Sequence, residues 1–188
     1  MSSSESSGTT MQSHGKFDIH KTLVIIHSWP KRHASTELMG FFWGLGFDIN
    51  QIKTPNWRTG LYTAYNRAIT KIVLAPRFKH YDQFIICDND LEPTKTTKHF
   101  LELETDVRGC RYTTAHDGDW GDPDTFHCGM YWTHRKVWEA FAWDEKFFEP
   151  KVSPQGDETL RCCCMTFADK CRAKGFTVAH SGFANHDV

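Results

Sequence analysis

Long apolar runs are missing from this 188-residue sequence. None approaches the roughly 18 residues of a membrane-spanning helix. A surplus of either charge is missing too. Twenty-two Lys and Arg stand against 23 Asp and Glu, for a net charge of -1, so the basic excess of a dedicated nucleic-acid binder is absent. The opening MSSSESSGTT has neither the charged n-region nor the apolar h-region of a secretory signal. A paired-cysteine framework is absent as well. The seven cysteines are odd in number and Cys162, Cys163 and Cys164 are consecutive, unlike the spacing of extracellular disulfide scaffolds. Together these absences predict reduced thiols, a cytoplasmic location, no membrane span and no nucleic-acid partner. No internal repeat and no long linker follows residue 20, which predicts one domain over residues 19–188. Residues 1–18, rich in Ser, Thr and Gly, have little to bury and read as a disordered arm.

What is present is a globular composition, 14% aromatic and 24% charged. Thr22-Leu23-Val24-Ile25-Ile26-His27 is a buried-strand signal, broken by Pro30. Leu38, Phe41, Phe42 and Leu45 follow at helical spacing, with Gly46 as a stop. Residues 49–52 form a weak second strand. Leu61, Ala64, Tyr65, Ala68 and Ile72 mark a second amphipathic helix, and Phe84-Ile85-Ile86-Cys87 another buried strand. Pro93 stands where a first helical turn would begin, continued by residues 99–104. Later come strand signals at 111–114, 130–132 and 176–179, and a short helix carrying Val137, Trp138 and Phe141. Leu160, Cys163, Cys164, Phe167, Ala168 and Cys171 read as one helical stripe ended by Gly175. Alternation of β and α elements predicts an α/β fold with a mostly parallel central sheet flanked by helices, and residues 84–87 as an interior strand.

The chemistry centres on Asp88-Asn89-Asp90, directly after that strand. Ligands of open α/β sheets bind outside the carboxyl ends of the strands. Two carboxylates one residue apart there can reach one hard divalent cation, Mn²⁺ or Mg²⁺, shared with a substrate diphosphate; the plain alternative is an Asp-Asn turn. The Asp-rich loop with Asp117, Asp119, Asp122 and Asp124 fails the EF-hand pattern, which needs Gly at the sixth and Glu at the twelfth position. The cysteine run fits no zinc spacing and reads as apolar packing.

In order and spacing these pieces resemble the nucleotide-sugar-dependent glycosyltransferases of the GT-A fold. The pieces are the loop His27-Ser28-Trp29-Pro30-Lys31-Arg32, Tyr65-Asn66-Arg67, FIICDNDLEP at 84–93, Cys128-Gly129-Met130-Tyr131-Trp132, RKVWEAFAWDEKFF at 135–148 and Gly156-Asp157-Glu158-Thr159-Leu160. The resemblance implies transfer of a sugar from a nucleotide diphosphate-sugar to an unknown acceptor. It implies Pro30, Arg32, Asn66, Arg67, Asp88 and Asn89 on the donor side, Trp120, Gly129 and Glu158 on the acceptor side, and Asp88, Asp90 and a C-terminal His in the metal shell. That His is His186, with His180 as runner-up. Lys31, Arg32, Arg58 and Arg67 add positive charge near the phosphates. Asp157 takes the place of the base of inverting members, although Gly156 and Thr159 replace acids common in the family. Two alternatives stand beside this reading: a non-catalytic nucleotide-sugar or glycan-binding module, and a metal-dependent phosphohydrolase or nucleotidyltransferase.

Overall fold

The computed structural model describes residues 16–28, 33–53, 61–112, 125–142, 145–156 and 159–186. Seven strands build one sheet: β1 (Thr22–Ser28), β2 (Asp48–Lys53), β3 (Gln83–Asp88), β4 (Leu91–Pro93), β5 (Val107–Tyr112), β6 (Met130–His134) and β9 (Val178–His186). A separate pair holds β7 (Lys151–Val152) and β8 (Thr159–Arg161). The helices are α1 (Thr36–Gly44), α2 (Leu61–Ala68), α3 (Arg135–Glu139) and α4 (Cys163–Ala173).

The sheet order is β2-β1-β3-β6-β5-β9-β4. β3 lies between β1 and β6, an interior position, as its unbroken apolar run requires. The expectation of a mostly parallel sheet needs correction. β1 pairs parallel with β2 and β3, and β5 with β9, but β3–β6, β5–β6 and β4–β9 are antiparallel. A fully buried strand is apolar on both faces whichever way its neighbour runs, so its apolar pattern does not disclose strand direction.

Alternation along the interior strands builds two cores. Leu23, Ile25, Phe84, Ile86 and Tyr131 face one side, with Val137, Trp138, Phe148 and Phe167. Val24, Ile26, Ile85, Cys87, Met130 and Trp132 face the other, against Leu38 and Phe42 of α1. Burying each such side chain is worth about 1.5–3 kcal/mol. Ser35 caps α1 by accepting from the Leu38 N–H at 3.0 Å. Gly46 and Gly175, both at φ +84°, end α1 and α4 as the sequence suggests. α2 runs on into a π-helical stretch, Ile69–Val73, that buries Ile69, Ile72 and Val73.

Several boundaries differ from the sequence reading. The chain is docked from residue 16: Gln83 accepts from the Asp18 N–H and donates to the Lys16 carbonyl, and Phe17 packs edge-on against Phe47. Pro93 does not start a helix. It closes β4, an edge strand, where a missing N–H is tolerated, and a 3₁₀ turn begins only at Thr97. The strand expected at 111–114 is β5, four residues earlier. Leu160 is not on the α4 stripe. It sits in β8, 52% exposed, and α4 starts at Cys163 with Cys162 as its cap.

Candidate functional site

β1 and β3 run parallel with His27 opposite Asp88. Their carboxyl ends therefore deliver His27, Ser28, Asp88, Asn89 and Asp90 to one edge of the sheet. The Asp88 N–H donates to the Gly129 carbonyl at 2.7 Å, tying this edge to the start of β6. Gly129 is buried, and a Cβ there would overlap the Tyr112 ring, whose hydroxyl accepts from the Gly129 N–H at 3.0 Å. Only glycine permits that approach.

Tyr65, from α2, reaches in from one face. It is buried, its ring packs edge-on against His27 at 4.9 Å, and its hydroxyl donates to the Asp88 oxygens at 2.8 and 2.7 Å. Burial pushes the Asp88 carboxyl up to about 8, against the Tyr65 hydrogen bond that lowers it and with help from the nearby Asp90 charge. Burial also lowers His27 to about 4, leaving a neutral ring. Neither ring nitrogen of His27 has a hydrogen-bond partner, nor does the Ser28 hydroxyl.

The antiparallel pairing of β4 with β9 sets Leu91 opposite His186. It thereby brings His186 beside Asp90, Nε2 to Oδ2 3.5 Å. Asp90 Oδ1 and His186 Nδ1 are buried without partners. His180 pairs with Gly109 instead, six residues up the strand and on the order of 20 Å away.

The donor set of Asp88, Asp90 and His186 is chemically suited to Mn²⁺ or Mg²⁺, and its orphaned atoms on Asp90 and His186 leave valences for an ion. The three are not drawn together as one ligand cluster, however. Among the described residues, the one group of His, Cys, Asp or Glu side chains whose ligand atoms all lie within 4.8 Å of one another is His127, Cys162 and Cys164. The Cys162 thiol is drawn below its ordinary range by hydrogen bonding with Cys164, against burial, and further by His127. Cys163 Sγ is 4.0 Å from Cys164 Sγ. The packing expected of Cys163, Cys164 and Cys171 is seen: Cys164 and Cys171 are buried, and Cys163, like Cys162, is half-buried and packs against the same core cluster.

Asn66 spends both ends of its amide on one residue, donating to the Phe148 carbonyl at 2.6 Å and accepting from its N–H at 3.0 Å. Phe148 in turn packs against Tyr65 and Phe167, so Asn66 holds the wall behind Tyr65. Arg67 is exposed. Pro30, Lys31, Arg32, Arg58, Trp120, Asp157 and Glu158 lie outside the described residues. The helix that Asp157 was expected to head begins at Cys163.

Sequence reasoning missed Tyr112. His27 lay in the loop expected near the nucleotide and Tyr65 in the Tyr65-Asn66-Arg67 segment, but neither was given a site role of its own.

No protein-family model and no curated protein sequence matches the chain. Solved structures do. A197 from STIV is 13% identical, over 89% of this chain and 86% of that one, at a TM-score of 0.52. A provisionally assigned nucleotide-diphospho-sugar transferase from Desulfovibrio desulfuricans G20 is 10% identical, over 89% and 82%, at 0.51. Among the described residues, no helix is long and apolar enough to cross a membrane. The architecture of this chain is a nucleotide-sugar-transferase-like fold.

Proposed function

We propose that the protein is a metal-dependent glycosyltransferase that moves a sugar from a nucleotide diphosphate-sugar to an acceptor hydroxyl. The observation that carries this reading is the meeting of Asp88-Asn89-Asp90 with His186 at the carboxyl edge of the sheet. Asp90 and His186 would hold the cation, with Asp88 as a third ligand. A bound Mn²⁺ or Mg²⁺ supplies electrostatic stabilisation of charge developing on the leaving diphosphate. His27, neutral and without a hydrogen-bond partner, offers a donor and an acceptor to the nucleotide. Arg67, with Lys31, Arg32 and Arg58, supplies positive charge around the phosphates, and Pro30 and Asn89 line the donor side. Trp120, Gly129 and Glu158 belong to the acceptor side.

Asp157 is the base in this scheme. It takes the proton of the acceptor hydroxyl as that oxygen attacks the sugar carbon opposite the leaving diphosphate, which inverts the anomeric centre. The fold shared with a nucleotide-diphospho-sugar transferase supports the donor class.

The test is Mn²⁺-dependent release of nucleoside diphosphate from a panel of nucleotide-sugars. Release stimulated by acceptor supports transfer. Binding without turnover points to a non-catalytic module. Hydrolysis of simple phosphoesters points to a phosphohydrolase.

A further inference from the structure

We infer that His127, Cys162 and Cys164 form a binding site for a zinc-type transition metal, completed by the thiolate of Cys128. The ligand atoms of the first three already lie within 4.8 Å of one another. Tetrahedral zinc, with bonds of about 2.0–2.3 Å, sets its ligand atoms roughly 3.5–3.8 Å apart, so a contraction of about 1 Å closes the cage. Cys128 follows His127 in the chain and lies buried in the same cluster as Cys164. One imidazole and three sulfurs make a soft donor set that selects zinc over Mg²⁺ or Mn²⁺. This site is therefore chemically distinct from the oxygen-rich edge at Asp88 and Asp90.

Two separate segments contribute. His127 and Cys128 end the stretch leading into β6, and Cys162 and Cys164 sit at the start of α4. Linear spacing gives no sign of this, because no two of the ligands form a CxxC pair. An outer shell is also in place: Cys162 Sγ accepts the Met165 N–H at 3.4 Å, a bond that orients a thiolate ligand. Apolar packing alone leaves unexplained why a histidine and the half-buried Cys162 share this position. The metal would pin residues 127 and 128 to α4, immediately before Gly129, whose carbonyl receives the Asp88 N–H. It thereby fixes the backbone that positions Asp88.

The full-length protein, reduced and stripped of metal, is titrated with Co²⁺ and then Zn²⁺. We expect one equivalent of Co²⁺ to produce the near-ultraviolet thiolate-to-cobalt charge-transfer band, and one equivalent of Zn²⁺ to displace it. Cys162→Ser with Cys164→Ser should abolish the band, His127→Ala should weaken Zn²⁺ binding at least tenfold, and Cys171→Ala should change neither. Should the double variant fail to fold, Cys162→Ser alone carries the same expectation, since serine caps a helix well. Reduced wild-type protein without the band, or a band that persists in the folded cysteine variant, would overturn the proposal. Carboxylate ligands give no such band, so the result is independent of the cation at Asp90.

Discussion

The Tyr65 hydroxyl spans both oxygens of Asp88, at 2.8 and 2.7 Å. This contact links α2 to the end of β3. Tyr65→Phe keeps the ring against His27 and Phe148 but leaves Asp88 without this donor. A buried group stripped of its partner costs about 1–3 kcal/mol. Denaturant unfolding at pH 7 should register a loss of that size, and an unchanged midpoint would show the contact to be dispensable.

Asp88 should also leave a mark on the pH dependence of stability. Its carboxyl is raised in the folded protein to about 8, chiefly by burial, so the folded state binds this proton more tightly than the unfolded state. The contribution of this group is therefore fully present below the ordinary carboxylate range and is lost as pH rises through about 8. Asp88→Asn should flatten the metal-free stability profile between pH 4 and 8, as measured by denaturation midpoints. His27, lowered to about 4 by burial, acts oppositely: its contribution is present above its ordinary range and lost as pH falls towards 4. The difference between wild type and Asp88→Asn separates the two.

Asp90→Ala and His186→Ala should each weaken Mn²⁺-dependent binding of a nucleoside diphosphate by tenfold or more, read by calorimetry. Binding without metal should be unaffected. Equal affinity in wild type and Asp90→Ala with Mn²⁺ present would remove the metal role.

Asp157→Asn keeps the side-chain shape and removes the base. Turnover should fall about 10²–10⁴-fold while donor binding holds, and Glu158→Gln should fall less. A product of retained anomeric configuration would count against the assignment.

Gly129→Ala would drive a methyl into the Tyr112 ring. Overpacking of this kind costs about 1–3 kcal/mol. Tyr112→Leu should relieve most of that cost in the double variant, giving a non-additive pair in thermal unfolding.

Arg135 is held by three carbonyls, those of Val73, Phe78 and Tyr81, with its guanidinium 5.0 Å over the Phe84 ring. Lysine cannot reproduce that planar fork. Arg135→Lys should cost about 1–3 kcal/mol, because part-buried carbonyls lose their donors.

The sequence by itself determined the elements whose burial is periodic or unbroken. β1 and β3 follow from apolar runs, α1 and the Cys164, Phe167, Ala168 and Cys171 face of α4 from helical spacing, and the helix stops at Gly46 and Gly175 from glycine's access to positive φ. Asp88 and Asp90 were legible because two acids directly after a buried strand fall at a sheet edge. Tertiary structure alone decided the rest. Strand direction is invisible in a run such as Met130-Tyr131-Trp132, which is apolar on both faces, so the mixed sheet emerged only from the pairing. Leu160 matched helical spacing by chance and went to an exposed hairpin. Long-range pairing brought Asp90 to His186, Tyr65 to Asp88, and His127 to Cys162 and Cys164. Each joins residues distant in the chain, and local propensity carries no information about which distant side chain will meet another once the cores close.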